Sequence, residues 1–291
     1  MRNQIIDAIH AKMAIDERVF FLTADMGINL VEKIQHSYPE RFLNVGIAEQ
    51  NLIGVSAGLA NLGYRPFAYT ICNFLVHRCF EQIRNDVCLH KYPITLVGTS
   101  TGYDNAPLGP THHMVDDWGC LKSFPGIDIY CPSTVAYAMT LVDKVMSNGR
   151  PAYIRVPKGE FIGNEIQDDF AMVRCESRET LVVSYGELAQ LCSEVGSANY
   201  QYSLMVMNRL HPLTDDSLRG LFQSYKRVIV IEDHFKETGI YSSLAMKFAD
   251  WGFQGINLYS ICPNKHRFDV KRQSKEYLHE LFLELINILN S

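Results

Sequence analysis

Short β-rich apolar runs recur along the chain with helix-period segments between them, and few folds accommodate that order. Val19-Phe20-Phe21-Leu22-Thr23, Phe42-Leu43-Asn44-Val45, Pro66-Phe67-Ala68-Tyr69-Thr70 and Pro93-Ile94-Thr95-Leu96-Val97-Gly98 each have the length and composition of one buried strand. Ile127 to Tyr130 and Ala152 to Val156 follow. Between them, Ile5, Ile6, Ile9 and Met13 recur at helical spacing, as do Val76, Phe80, Ile83 and Val87. Ser133 is the candidate N-cap of another helix. Strands that alternate with helices form parallel sheets covered on both faces, so the expected class is α/β. After a polar stretch the alternation restarts at Leu181-Val182-Val183-Ser184, runs through a helix near Asp215 and ends in an amphipathic helix from Lys275. The expectation is two doubly wound domains, residues 1–160 and 179–291, joined by a linker at 161–178.

Composition narrows the function classes. With 291 residues and 47% hydrophobic content the chain has ample material for a core, and its formal net charge of −5 disfavours a nucleic-acid binder. No apolar stretch reaches bilayer-spanning length, and the N-terminus has no signal-peptide core. Eight cysteines without a C-x-x-C pair read as reduced thiols in a cytoplasmic protein.

Chemistry-bearing residues gather around three stretches. Gly46 ends the run Phe42–Val45, and Glu49 stands at the junction with a helix rich in small residues, Gln50 to Asn61. Open α/β sheets bind ligands at the carboxyl ends of their strands, which is where Glu49 falls. A carboxylate that complements the helix dipole is the structural alternative. Phe74 opens a helix just after a strand, either as core or as a flat ring offered to a heteroaromatic ligand. The loop from Thr99 to about Val115 is long for a compact domain, and such loops are usually functional. It holds His112-His113 with Asp116 and Asp117 close behind. Adjacent histidines in an extended loop point to opposite sides, so a substrate-contacting histidine is preferred there over a metal site, and no metal ligand is assigned to this chain. Neither a G-x-G-x-x-G, nor a G-x-x-x-x-G-K-[ST], nor a G-x-S-x-G motif occurs.

Arg41-Phe42-Leu43-Asn44-Val45-Gly46-Ile47-Ala48-Glu49-Gln50-Asn51, with Phe74, Phe80-Glu81-Gln82-Ile83-Arg84-Asn85-Asp86 and Gly109-Pro110-Thr111-His112-His113, resembles the pyrimidine-binding domain of transketolases. Val183-Ser184-Tyr185-Gly186 and Ile231-Glu232-Asp233-His234 are similar to the transketolase C-terminal domain. Family members hold thiamine diphosphate and Mg²⁺ through a Gly-Asp-Gly motif, which is absent here. The resemblance therefore implies the C-terminal subunit of a split transketolase, active as a glycolaldehyde transferase only with an N-terminal partner subunit that supplies the diphosphate and Mg²⁺ site. An α2β2 assembly is implied as well.

By the same resemblance, Glu49 hydrogen-bonds N1′ of the cofactor aminopyrimidine and shares a proton there. That task needs a desolvated carboxyl group, which holds a proton more readily than one in water. Phe74 stacks on the pyrimidine, with Ile71 and His77 on the same wall. His112 contacts the donor sugar, and Lys158 sits near a family phosphate-binding position. Two departures stand out. Leu108 replaces an aspartate that reads a donor hydroxyl, and Ser100 aligns with a family histidine. They imply a modified, deoxy or branched ketose donor. A 2-oxo acid dehydrogenase β subunit and a non-catalytic regulatory homologue are the competing readings.

Overall fold

The computed structural model describes residues 1–162, 166, 168–197, 200–213, 217–263 and 273–290. The first half contributes β1 (Val19–Thr23), β2 (Phe42–Asn44), β3 (Arg65–Ile71), β4 (Thr95–Thr99), β5 (Asp128–Tyr130) and β6 (Ala152–Val156). Then come β7 (Phe170–Cys175), β8 (Thr180–Ser184), β9 (Ser203–Met207), β10 (Arg209–His211), β11 (Arg227–Ile231) and β12 (Asn257–Ile261). They form two sheets, ordered β10-β5-β6-β4-β3-β1-β2 and β12-β11-β8-β9-β7. Within each sheet the pairs are parallel except β10 on β5 and β7 on β9. Helices pack on these parallel sheets, as the alternation of elements requires.

Four local readings need correction. The stretch 161–178 is more than a linker, because β7 lies inside it and adds an antiparallel edge to the second sheet. Its apolar residues Phe170, Ala171, Met172 and Val173 are only partly buried, and the flanking Asp168, Asp169 and Arg174 hide them in a polar context. β2 is not a buried strand: it is the terminal strand of its sheet, and Leu43 is 38% exposed. The helix expected through Val76 and Val87 is broken into Cys72–Val76, Phe80–Gln82 and a π-helical turn, Ile83–Leu89; Val76, Ile83 and Val87 are buried as the spacing implied, but Phe80 is 38% exposed. Lastly, Thr134 rather than Ser133 caps the helix Val135–Asn148, through Tyr137 N–H at 3.2 Å. The Ser133 hydroxyl instead accepts from Gly186 N–H at 2.9 Å, across to the other sheet's side. Asp215 lies outside the described residues; the helix after it runs Ser217–Gln223.

The apolar core is continuous between the sheets. One cluster runs from Leu22, Leu96 and Trp118 to Val183, Met205 and Phe222. Burial on this scale is the main favourable term in folding. All eight cysteines are free, five of them buried. No helix among the described residues is long and apolar enough to cross a membrane.

Candidate functional site

Three strand ends converge. The chain leaves β2 into the helix Glu49–Asn61, β3 into the helix Cys72–Val76, and β4 into the long loop. β1 lies between β2 and β3, so the order of the sheet reverses at β1 and β3, the position where open α/β sheets leave a crevice. Gly46, with φ +76°, makes the turn that brings Glu49 into the first turn of its helix. Glu49 is 2% exposed, and its carboxylate accepts from Arg78 Nη1 at 2.6 Å. The Gln50 side-chain amide donates to the Arg78 carbonyl at 3.0 Å. The same guanidinium lies over the Phe74 ring, 4.8 Å from its centroid. Glu49 and Phe74 are thus joined through Arg78, a residue that sequence reasoning missed. Its position four residues after Phe74, one helical turn on, was the available signal.

Ile71 ends β3 and is half-buried. His77 stands exposed beside Phe74, held at both ring nitrogens: Nδ1 meets Asn73 Oδ1 at 3.2 Å and Nε2 meets Asp116 Oδ1 at 3.2 Å. Asp116, then the Cys120 thiol, favours the imidazolium and pushes its pKa up to about 10. Phe74, His77, Arg78, Thr111 and Asp116 line a hollow of about 440 Å³ that Phe235 of the second half also borders.

The loop after β4 is pinned rather than loose. Gly102 and Met114 exchange backbone hydrogen bonds of 2.8 and 2.7 Å, closing it into a lasso with two 3₁₀ turns, Ala106–Leu108 and Pro110–His112. Gly102 has φ +50°, and a Cβ there would stand 2.1 Å from Asp233 Oδ2, so only glycine fits. Ser100, 7% exposed, also takes a left-handed backbone (φ +66°), which costs energy for a residue with a Cβ. His112 presents its ring edge-on to Phe74 at 5.4 Å and meets Thr111 Oγ1 at 3.0 Å. His113 borders the same hollow, is 5% exposed, and its Nε2 lies 3.3 Å from the Ala106 carbonyl. The two histidines take different partners, and no group of three or more His, Cys, Asp or Glu that could hold a metal occurs among the described residues. Leu108 is 60% exposed on the outer turn. The Lys158 ammonium donates to the Asp104 carbonyl at 2.6 Å and Asn105 Oδ1 at 3.1 Å, so here it ties the loop down.

Behind the loop lies a buried ionic girder. Arg155 of β6, 1% exposed, donates from Nε to Asp117 at 2.9 Å, from Nη1 to Asp233 at 3.0 Å, and from Nη2 to the Met114 carbonyl at 2.9 Å. Tyr153 Oη–H donates to Asp117 at 2.7 Å. Glu232, Asp233 and His234 each take a different partner. Glu232 accepts from Ile240 and Tyr241 N–H at a helix start, Asp233 accepts from Arg155, and His234 Nε2 accepts from Gly119 N–H. The second half thereby positions the first half's loop.

Glu187, against Gly159, has its pKa raised to about 7, chiefly by burial. A carboxyl whose folded pKa is raised holds more protons when folded, so its contribution to stability falls as pH climbs from about 4.5 to about 7. Urea midpoints measured at pH 5 and pH 7.5 should therefore drop more steeply for the wild type than for Glu187→Gln. Equal slopes for the two chains would contradict this assignment.

The model of the family described as "Transketolase, pyrimidine binding domain" matches residues 1–162. The chain is 28% identical over 225 residues to a subunit of the apulose-4-phosphate transketolase of Actinobacillus succinogenes, covering 74% of this chain and 72% of that one. It is 28% identical to the like-named subunit of Phocaeicola vulgatus, over 69% of this chain and 68% of that one. It is also 31% identical to 1-deoxy-D-xylulose-5-phosphate synthase of Dictyoglomus turgidum, over 72% of this chain but only 35% of that longer protein. The same fold occurs in a solved split-gene transketolase described as an inactive beta4 tetramer, with TM-score 0.85, 23% identity, and coverage of 99% and 96% of the two chains.

Proposed function

The chain belongs to the transketolase family through its pyrimidine-binding domain, and from that membership we propose that it is the cofactor-activating subunit of a split, thiamine diphosphate-dependent transketolase. The observation that carries this reading is the buried Glu49 carboxylate at a strand end, joined through one guanidinium to the Phe74 ring beside an open hollow. An aminopyrimidine asks for that pair: a desolvated carboxyl group for a ring nitrogen and an apolar face for the ring. Glu49, Phe74, Ile71 and His77 would hold this half of the cofactor. Bound there, the cofactor supplies the electron sink for C–C cleavage. Glu49 would hold and release the proton at N1′, and Phe74 would fix the ring plane. His112, edge-on to Phe74, contacts the donor sugar.

The diphosphate and Mg²⁺ are assigned to a companion chain with Gly-Asp-Gly, in a two-plus-two assembly. Support comes from relatives whose names make them one subunit of a transketolase and from apolar side chains open to solvent after β1 and β2, Ile28 at 82% and Ile47 at 77% exposed. Gly54 and Gly58, with nothing within 4 Å of a would-be Cβ, leave one face of the Glu49–Asn61 helix clear for close approach. Residues 1–160 form the pyrimidine unit, and the second unit, which takes in β7 (Phe170–Cys175), steadies its loop. For the donor, Leu108 offers no hydrogen bond, which favours a modified ketose phosphate over xylulose 5-phosphate. Names of relatives that specify apulose 4-phosphate agree with this direction.

The test is reconstitution. The chain alone should show no thiamine diphosphate-dependent turnover of ketose phosphates, whereas the chain mixed with its Gly-Asp-Gly companion should. Turnover by the single chain would overturn the split reading. Ordinary transketolase rates on xylulose 5-phosphate would overturn the donor reading.

A further inference from the structure

The hollow beside Phe74 has a mixed wall of aromatic, basic and small neutral side chains. Phe74 and Phe235 give it apolar faces, and Arg78 is engaged with Glu49. Asp116 is the sole carboxylate among its described lining residues. Asp116 occupies the N-cap position of the short helix Asp117–Leu121, yet its side chain makes no capping bond. One oxygen, Oδ1, is spent on His77 at 3.2 Å. The other, Oδ2, has no hydrogen-bond partner among the described residues, and the side chain is 37% exposed. His77 is itself fixed by Asn73, whose amide nitrogen donates to the Thr111 carbonyl at 2.6 Å. The string from Thr111 through Asn73 and His77 to Asp116 locks the carboxylate's rotamer from behind.

We propose that Asp116, positioned by His77 and Asn73, is the specificity-determining acceptor that reads a hydroxyl of the donor sugar. The inference rests on the transketolase reading and adds the group that recognises the substrate. A free carboxylate oxygen accepts a strong hydrogen bond from a hydroxyl donor, and it offers nothing to a carbon that lacks one. The turn at Ala106–Leu108 has only Ala, Pro and Leu side chains and cannot do this. The imidazolium at Oδ1 cancels the charge of Asp116, so an anionic sugar phosphate is not repelled from the hollow. His77 thus acts through Asp116 as a positioning residue.

The experiment uses the chain assembled with its companion subunit. Donors are apulose 4-phosphate, D-xylulose 5-phosphate and hydroxypyruvate, the last having no hydroxyl beyond the transferred two-carbon unit. For Asp116→Ala, KM for the better ketose phosphate should rise about tenfold to a hundredfold, the range for one hydrogen bond to a charged group. KM for hydroxypyruvate should stay unchanged, and the thiamine diphosphate affinity, read by fluorescence quenching, should fall by less than the ketose phosphate KM rises, since His77 keeps Asn73. Asp116→Asn, which keeps an acceptor oxygen but loses its charge, should raise the same KM by less, and His77→Gln should also give a smaller rise on the same donor. An equal rise on hydroxypyruvate, or no rise on the ketose phosphates with either Asp116 variant, overturns the proposal while leaving the transketolase reading intact. Absence of turnover with every donor in the wild type sinks that reading instead. Calorimetric titration with the two ketose phosphates then decides for Asp116: binding weakened by Asp116→Ala supports it, and binding that is absent or unaltered overturns it.

Discussion

Glu49→Ala in the assembled enzyme is expected to lower kcat by about a thousandfold, within the range for loss of a positioned acid–base group. The reason is local. Glu49 is 2% exposed, so neither bulk water nor a neighbouring side chain can take over its proton, and its only described side-chain partner is a guanidinium that never releases one. Glu49→Gln keeps the volume and the hydrogen bonding but cannot hold a transferable proton, so it should be nearly as impaired while still binding thiamine diphosphate. Folding should survive both changes. Arg78 is 46% exposed and returns to water when its partner is removed, so thermal midpoints should move little. Turnover within threefold of wild type for either variant would remove Glu49 from the mechanism.

Arg155→Ala should destabilise the chain by about 3–5 kcal/mol, the usual result of removing one member of a buried ion pair. Asp117, with its side chain 0% exposed, would keep only Tyr153 among its described side-chain partners, and Asp233 would lose its cation as well. At roughly 2–4 °C per kcal/mol for a chain of this size, the thermal midpoint should fall by about 6–20 °C. The loop should loosen too, because the Met114 carbonyl that Arg155 holds is the one that closes the lasso at Gly102. Differential scanning fluorimetry reads the first effect, and protease cleavage between 99 and 115 reads the second. A shift below about 2 °C would mean that the girder adds little to stability, as some buried ion pairs do relative to an apolar replacement.

What could be read from the sequence follows from what leaves a local trace. Apolar strands such as Val228–Ile231 and the helix spacing of Ile5, Ile9 and Met13 are periodic, so the α/β class was legible. Glu49, Phe74 and His112 sit in stretches whose wording resembles a family; Glu49 meets Phe74 only through Arg78, and His112 meets it ring to ring. Arg78 and Arg155 were overlooked because their partners are distant in sequence, 29 residues away for Glu49 and 78 for Asp233. Yet Arg155 had left a clue: an arginine inside the strand Ala152–Val156, whose neighbours are all apolar, is rarely buried without a partner. β10 has three residues, Arg-Leu-His, and no period to read. The helix after Phe74 was legible as to Val76, Ile83 and Val87 but not as to the exposed Phe80 or the breaks, since a π turn adds a residue without changing which side chains are apolar.

β10 bears on how the molecule comes apart. The chain crosses from the second sheet at β9, pairs three residues against β5, and returns, with Asn208 taking both Cys131 N–H at 2.8 Å and Ser133 N–H at 2.8 Å on the way. Arg209 then reaches back to Asp128 at 2.9 Å. This is a stitch rather than a hinge. A scissile cut anywhere in 157–169 would leave both fragments sewn together, and a fragment ending near 160 would expose the β5 edge as a sticky rim. The two halves are therefore expected to melt as one cooperative body, and any rearrangement during turnover must be sought in side chains and the lasso, not in one half swinging away from the other.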